Sequence, residues 1–217
     1  MSETFDCADP DSRAAGLAAA AQAVRGGRLV VLPTDTVYGI GCDAFSAPAV
    51  AGLLAAKQRG PDLPVPVLVG SWTTIDGLVA RVPRAARDLV EAFWPGPLSL
   101  VLPHAPSLSW DLGRTKGTVM LRMPLHPVAL ELLREVGPMA TSTANVAQQP
   151  APTIAADAHE QLGDSVAVYL DGGELGGAVS TVVDLTGDDV RILRTGAVTV
   201  EDLSAVLDLS DGRRIVA

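Results

Sequence analysis

The chain has 217 residues, of which 48% are hydrophobic and 19% are charged. This balance is typical of a globular protein with a full core and excludes an extensively disordered chain. A formal net charge of −9 argues against a general nucleic-acid binder, although a local group of cations could still bind an anion. Two cysteines are too few for a disulfide framework, and no apolar run reaches the ~18 residues that cross a bilayer. We therefore expect a cytoplasmic protein without a membrane segment.

Hydrophobic periodicity, turn residues and prolines predict a mixture of helices and strands. In chain order they predict a helix in RAAGLAAAAQAVRGG, a strand in RLVVLP, a helix in SAPAVAGLLAAKQR, a strand in PVPVLVG, a helix in PRAARDLVEAFW, strands in LSLVLP and TVMLRMP, a helix in HPVALELLREVG, a strand in PMATSTA, a helix near IAADAHEQLG, strands in VAVYL, STVVDL and VRILR, and a helix in TVEDLSAVLD. Because strict βαβ alternation is absent, we predict a single-domain α/β fold with a twisted mixed sheet flanked by helices. We expect this domain to span residues 12–208, between frayed or disordered ends at 1–11 and 209–217.

Several common catalytic signatures do not occur in the sequence. Gly39 and Gly41 lack the third glycine of a dinucleotide fingerprint, and the residues around Lys116 do not form a Walker phosphate loop. There is no G-x-S-x-G elbow, and the three histidines have no metal-like spacing. Any active site must therefore use residues outside these patterns.

Cations at the ends of apolar segments are the first candidates. Lys57 and Arg59 end a predicted helix, where they either complement the helix dipole or reach into a cleft and hold a polyphosphate. Arg122 lies in an otherwise apolar strand, and Arg194 ends the strand VRILR before a glycine turn, so each pairs with a carboxylate or binds an anionic ligand. The hydroxyls that follow the strand in VVLPTDTVYGIG either cap the local backbone or contribute to the same site.

Seven segments, in order and at matching spacing, resemble the YrdC/Sua5 family of threonylcarbamoyl-AMP synthases. They are LPTDTVYGIGCDA, KQRGPDLPVPV, FWPGPLSLVL, GTVMLRMPLHP, TSTANVAQQPAPT, STVVDL and ILRTG, and the match runs from about residue 16 to residue 200. The resemblance implies a twisted mixed sheet with a large concave cavity. It also implies a nucleotidyltransferase that converts L-threonine, bicarbonate and ATP, used with Mg²⁺, into threonylcarbamoyl-AMP and pyrophosphate. A partner transferase would then modify adenosine 37 of tRNA, and weak contact with tRNA itself is left open.

The resemblance also implies roles for particular residues. Lys57 and Arg59 correspond to catalytic positions. Contacts to threonine correspond to Thr34, Arg122, Thr141 and Ser180, and contacts to the nucleotide correspond to Arg59, Thr118, Thr143, Asn145 and Arg194. No protein-held metal or tightly bound cofactor is implied, since nucleotide and water would hold Mg²⁺. The chain departs from the family pattern at Leu63, Leu68, Ala147 and Ala151.

Two other functions remain open from the sequence. The first is an RNA-binding module on the same fold, against which the acidic composition argues. The second is a paralogue that handles a carbamoyl-adenylate without threonine-dependent synthesis. Pyrophosphate release that requires threonine, bicarbonate and ATP together would separate the synthase from both.

Overall fold

The computed structural model describes residues 2–207 and 214–216. These residues form eleven strands and seven α-helices. The strands are β1 (Glu3–Asp6), β2 (Val30–Leu32), β3 (Gly39–Asp43), β4 (Val67–Leu68), β5 (Leu98–Pro103), β6 (Thr118–Arg122), β7 (Met139–Thr143), β8 (Val168–Asp171), β9 (Thr181–Asp184), β10 (Val190–Arg194) and β11 (Ile215–Val216). The helices are α1 (Pro10–Arg25), α2 (Ala47–Ala56), α3 (Ile75–Leu78), α4 (Arg84–Phe93), α5 (Pro127–Val136), α6 (Ala155–Leu162) and α7 (Val200–Val206).

All eleven strands join one sheet, in the order β1-β8-β2-β3-β7-β4-β6-β5-β9-β10-β11. Pairing is parallel at β1/β8, β2/β8, β4/β6, β5/β9 and β10/β11, and antiparallel elsewhere. The predicted fold class, a single-domain twisted mixed sheet flanked by helices, is confirmed.

The sheet separates two hydrophobic clusters, because alternate residues of a strand point to opposite faces. In β2, Val31 belongs to the larger cluster, whereas Val30 and Leu32 belong to the smaller one. The smaller cluster includes apolar side chains of α1 and α5, which therefore cover this face at the β8 and β2 end of the sheet. The rest of the same face carries a cavity.

Across β5, β6 and β9, the same alternation places polar or small side chains opposite the larger cluster. Leu98 and Leu100 enter that cluster, so Ser99 points to the other face. Arg122 and Val182 share this second face with Ser99, since their strand neighbours Leu121 and Val183 belong to the larger cluster. These side chains line a cavity instead of packing beneath α1 and α5.

We predicted residues 1–11 to be frayed or disordered, and of these the described residues 2–11 contain regular structure instead. The backbone of β1 pairs in parallel with β8, and α1 begins at Pro10 with the Asp9 side chain as its N-cap. An edge strand needs backbone partners more than apolar side chains, and three of the four β1 residues are exposed. The polar composition of the N-terminal segment therefore gave no indication of this strand.

The expected frayed C-terminal tail, residues 209–217, is described only in part. Residues 209–213 and 217 lie outside the described residues, while β11 pairs in parallel with β10. The domain limits of 12–208 stay a prediction.

Candidate active site

A cavity of about 390 Å³ lies on the open part of the sheet. Arginine guanidinium groups and hydroxyl groups dominate its polar wall. They belong to Arg59, Arg122, Arg194, Thr34, Thr36, Ser99, Thr141, Ser142, Thr143 and Ser180. No Asp or Glu among the described residues lines this cavity. The cavity therefore favours an anionic ligand, although the chain as a whole is acidic.

Arg122 is the last residue of β6 and is buried in the cavity wall. Its Nε donates to the carbonyl oxygen of Gly96 at 3.0 Å, its Nη1 donates to Thr36 Oγ1 at 3.1 Å, and its Nη2 forms a short ion pair with Asp35. Burial lowers the pKa of Arg122, and the Asp35 carboxylate acts in the opposite direction. Because a guanidinium carries five N–H groups, two remain for a ligand after these three bonds.

Arg194 is the last residue of β10 and is held against Ser180, which directly precedes β9. Its Nε donates to the Ser180 carbonyl at 2.9 Å and its Nη2 donates to Ser180 Oγ at 2.8 Å. Burial lowers the pKa of Arg194. Gly196 permits this arrangement, because a Cβ there would lie 2.4 Å from the Val179 carbonyl oxygen. One predicted threonine contact and one predicted nucleotide contact thus touch each other.

Arg59 enters the cavity from the loop after α2. Its Nη2 donates to the carbonyls of Leu63 at 2.6 Å and Pro64 at 3.2 Å, and its Nη1 donates to Ser142 Oγ at 3.2 Å. Its Nε is buried without a hydrogen-bond partner among the described residues. This arginine therefore fixes the rim of the cavity and keeps an unused donor.

Thr34 follows the end of β2 and uses its hydroxyl locally. Its Oγ1 donates to the Val37 carbonyl at 2.7 Å and accepts from the Thr36 backbone N–H at 3.1 Å. The capping interpretation of this segment is therefore right for the hydroxyl, and the same side chain also lines the cavity. Tyr38 connects the segment after β2 to the end of β8, because its hydroxyl lies 2.7 Å from the Gly173 carbonyl and 3.1 Å from Asp171 Oδ1.

The end of β7 supplies three further hydroxyls to the cavity wall. Thr141, Ser142 and Thr143 all line the cavity, and Thr141 is buried. Seven of the ten sequence-predicted site residues therefore line one cavity, namely Thr34, Arg59, Arg122, Thr141, Thr143, Ser180 and Arg194. The other three, Lys57, Thr118 and Asn145, do not line it.

Lys57 is buried behind the end of β7. Its Nζ donates to the Thr143 carbonyl through a short bond, to the Asn145 carbonyl at 2.6 Å and to Asn145 Oδ1 at 3.4 Å. These three acceptors engage all three ammonium protons. Burial and the nearby charge of Arg59 lower the pKa of Lys57 to about 8. The geometry makes Lys57 a support for the turn that follows β7.

The remaining two predicted contacts are also engaged within the protein. Asn145 Nδ2 lies 2.9 Å from each of the carbonyls of Val146 and Gln149, so its amide protons are engaged in the turn. Thr118 begins β6, and its hydroxyl donates to the Thr115 carbonyl at 2.7 Å. It points to the same face as Arg122 but from the far end of the strand, about 13 Å away at the usual rise per residue.

Three hydroxyls of the wall, Ser99, Thr36 and Ser142, had no individual role among the sequence-predicted contacts, although Thr36 belongs to the hydroxyl segment VVLPTDTVYGIG. The signal for Ser99 was present, because it is a lone polar residue that alternates with Leu98 and Leu100 in a buried strand. Of the four positions that depart from the family pattern, Leu63 and Leu68 line the cavity with apolar surface.

The described part of the chain has neither a cluster of metal ligands nor a helix suited to crossing a membrane. No three His, Cys, Asp or Glu side chains come together there as metal ligands. The helices within residues 2–207 and 214–216 do not combine the length and apolar composition that a bilayer-spanning segment needs.

Comparison with known proteins identifies similar sequences and structures. The model of the Sua5/YciO/YrdC family, described as "Telomere recombination", matches residues 22–196. A Mycobacterium tuberculosis protein named "Putative threonylcarbamoyl-AMP synthase" is 62% identical over 208 residues, which cover 95% of this chain and 96% of that protein. The threonylcarbamoyl-AMP synthase of Bacillus subtilis is 39% identical over 194 residues, 88% of this chain.

A solved structure agrees with these relatives. The crystal structure of Pyrococcus abyssi Sua5 complexed with L-threonine has a TM-score of 0.89 to this chain at 33% identity, with 99% of this chain covered. This chain spans 56% of the Bacillus protein and 62% of the Pyrococcus chain, so it corresponds to one part of those longer proteins.

Proposed function

The chain belongs to the Sua5/YciO/YrdC family, and we propose that it synthesises threonylcarbamoyl-AMP and pyrophosphate from L-threonine, bicarbonate and ATP. In this proposal the protein is a cytoplasmic nucleotidyltransferase. The observation that carries it is a single cavity in which Arg59, Arg122 and Arg194 meet a set of hydroxyls, with no Asp or Glu of residues 2–207 and 214–216 in its lining. Such a cavity suits an amino acid beside a polyphosphate.

The amino-acid half of the site would lie around Arg122. Its two unused N–H groups can bind the threonine carboxylate, while Asp35 on the other side holds the guanidinium in place. Thr34, Thr141 and Ser180 would complete this half, as the resemblance implied. The L-threonine bound to Pyrococcus Sua5 supports an amino-acid site in a protein of this fold.

The nucleotide half would lie between Arg59 and Arg194, with the Thr143 hydroxyl on the same wall. We propose that Lys57 and Asn145 contribute indirectly, by holding the turn that carries Thr143, instead of by touching a phosphate. The Thr118 hydroxyl donates to the Thr115 carbonyl. Its contact with the nucleotide stays an implication of the resemblance, and we propose no further role for it.

The chemistry needs alignment more than a protein nucleophile. The threonine amine attacks the carbon dioxide derived from bicarbonate and loses a proton, which gives a carbamate anion. A carbamate oxygen then attacks the α-phosphorus of ATP, and the bond to the β-phosphate oxygen breaks as pyrophosphate leaves. Arginines fixed beside the reacting groups neutralise charge that builds up on the phosphates.

Mg²⁺ would enter this reaction as part of the ATP substrate. The cavity wall offers hydroxyls and guanidinium groups, which do not form the oxygen cage of a resident divalent ion. The product would pass to a partner transferase that acts on tRNA. No contact or relative described above favours the RNA-binding or non-synthetic alternative.

The proposal is tested by incubating the purified protein with ¹³C-bicarbonate, L-threonine and MgATP. We expect a labelled threonylcarbamoyl-AMP by mass spectrometry and equimolar pyrophosphate, with neither formed when any one substrate is omitted. Pyrophosphate release that is independent of threonine would refute the assignment. An Arg122→Gln variant serves as the control, because it should lose product while it keeps ATP binding.

A further inference from the structure

A row of four polar side chains crosses the cavity wall where strands β6, β5, β9 and β10 lie side by side. In this order the row consists of Arg122, Ser99, Ser180, which directly precedes β9, and Arg194. The two serines are buried between the two arginines, and their Oγ atoms lie 3.1 Å apart. Ser99 has no role in the function proposed so far.

The hydrogen-bond count at this pair leaves one proton unused. Two hydroxyls supply two protons, and the bond between Ser99 and Ser180 consumes one of them. Arg194 Nη2 already donates to Ser180 Oγ, so the remaining proton cannot be directed at Arg194. In the described part of the chain these two hydroxyls have no other hydrogen-bond partner and both line the cavity, so one hydroxyl proton is available to an acceptor atom of a ligand.

An anionic oxygen is the acceptor that suits this position. Guanidinium groups lie at both ends of the row, and none of the described Asp or Glu residues lines the cavity. A donor beside two cations attracts a carboxylate oxygen and repels an ammonium group. When such an oxygen binds at Ser180, the favoured arrangement has Ser99 donating to Ser180 Oγ. Ser180 then accepts two hydrogen bonds, and its own proton is directed at the ligand.

We propose that Ser99 is a positioning residue of the amino-acid site, which directs the Ser180 hydroxyl proton toward a carboxylate oxygen of the substrate. This inference rests on the proposed function for the identity of that substrate. Ser99 forms a hydrogen bond with Ser180 but with neither Arg59 nor Arg194, so we expect its loss to lower the affinity for the amino acid more than the affinity for ATP. A polarised hydroxyl that donates to a charged acceptor is a stronger bond than a neutral pair.

The test compares three dissociation constants by calorimetry in the wild type, Ser99→Ala and Ser99→Thr. The ligands are L-threonine, L-2-aminobutyrate, which lacks the substrate hydroxyl, and ATP. Ser99→Ala is expected to weaken both amino acids by about five- to tenfold and to leave ATP within about twofold. Ser99→Thr, which keeps a hydroxyl, should restore both affinities. Thermal melting of each variant reports whether the fold is retained.

Three results would overturn the role of Ser99. They are unchanged threonine affinity in Ser99→Ala, an equal loss of ATP affinity, or a loss for threonine that aminobutyrate does not share. The last result would assign the proton to the substrate hydroxyl. A wild type that binds threonine but makes no labelled product would refute the proposed function alone, because these binding constants would still decide the role of Ser99.

Discussion

Replacing Lys57 by methionine separates a support role from a catalytic one. The side chain is only 3% exposed, and methionine has a similar length without a donor. The substitution would leave the carbonyls of Thr143 and Asn145 and the Asn145 amide oxygen without their shared donor. Each buried acceptor that loses its partner lowers the stability by about 1–3 kcal/mol. Part of this loss is offset, because the variant no longer has to bury an ammonium group.

We therefore expect Lys57→Met to lower the free energy of unfolding by about 2–3 kcal/mol. For a domain of this size, that corresponds to a fall in Tm of about 5–10 °C. Turnover should fall together with stability, because the turn that carries Thr143 is displaced. Thermal melting and product formation would be measured in parallel on the same preparations.

The chain provides its own matched control for this experiment. Its second lysine, Lys116, is exposed, so Lys116→Met should leave the Tm and turnover nearly unchanged. A Lys57→Met protein with the wild-type Tm but with ATP affinity reduced at least about tenfold would refute the reasoning. That outcome would show that Nζ contacts a phosphate and leaves the carbonyls when ligand binds.

Other substitutions and pH test the remaining contacts. Arg122→Gln should weaken L-threonine binding by about 10- to 100-fold in calorimetry, because a charge-assisted bond is lost. Arg59→Met should reduce turnover at least about tenfold, and full activity would show that this arginine only fixes the rim. Gly196→Ala should destabilise the protein by about 1–3 kcal/mol in urea titrations, whereas Gly187→Ala, with open space at its Cβ, should not. The native pKa of Lys57, about 8, lies below its ordinary 10.5, so the unfolded state binds more protons between these values. Lys57 should therefore make the unfolding free energy of the wild type rise relative to that of Lys57→Met as the pH increases across that window. The difference between the two proteins isolates Lys57, because the raised pKa values of the buried Cys7 and Cys42 thiols lower the stability of both proteins alike over the same range.

The residues at strand ends were the most predictable part of the site. Arg122 interrupts an apolar strand, and the high cost of an unpaired buried charge already indicated a carboxylate or an anionic ligand. The same reasoning was weaker for Arg194, because that residue is exposed and its strand also contains Arg191. The structure gives Arg122 both the Asp35 carboxylate and a position on the cavity wall. The local sequence was sufficient to predict a partner for Arg122, because the cost of an unpaired buried charge can be judged from the strand that carries it.

Features that depend on distant partners could not be predicted in the same way. The segment GIGCD reads poorly as a strand, yet it forms β3, where a Cβ on Gly41 would lie 2.8 Å from Met139 Cε. The glycine is explained only by the neighbouring strand. The direction of the Lys57 side chain likewise depends on carbonyls that lie far along the chain, so its place at a helix end was no guide to its contacts.

The arginines of the cavity come from the loop after α2, from β6 and from β10, so no short stretch of the chain contains two of them. A nucleotide bound to both Arg59 and Arg194 would connect the loop after α2 to β10. That loop contacts the central strand β7 through Ser142, whereas β10 lies near the edge of the sheet. Opening that edge would then require the ligand to dissociate first, and ATP at a hundred times its Kd would add about 2.7 kcal/mol of resistance to unfolding. Protection of β9 and β10 from proteolytic cleavage by ATP would therefore follow directly from the order of the strands.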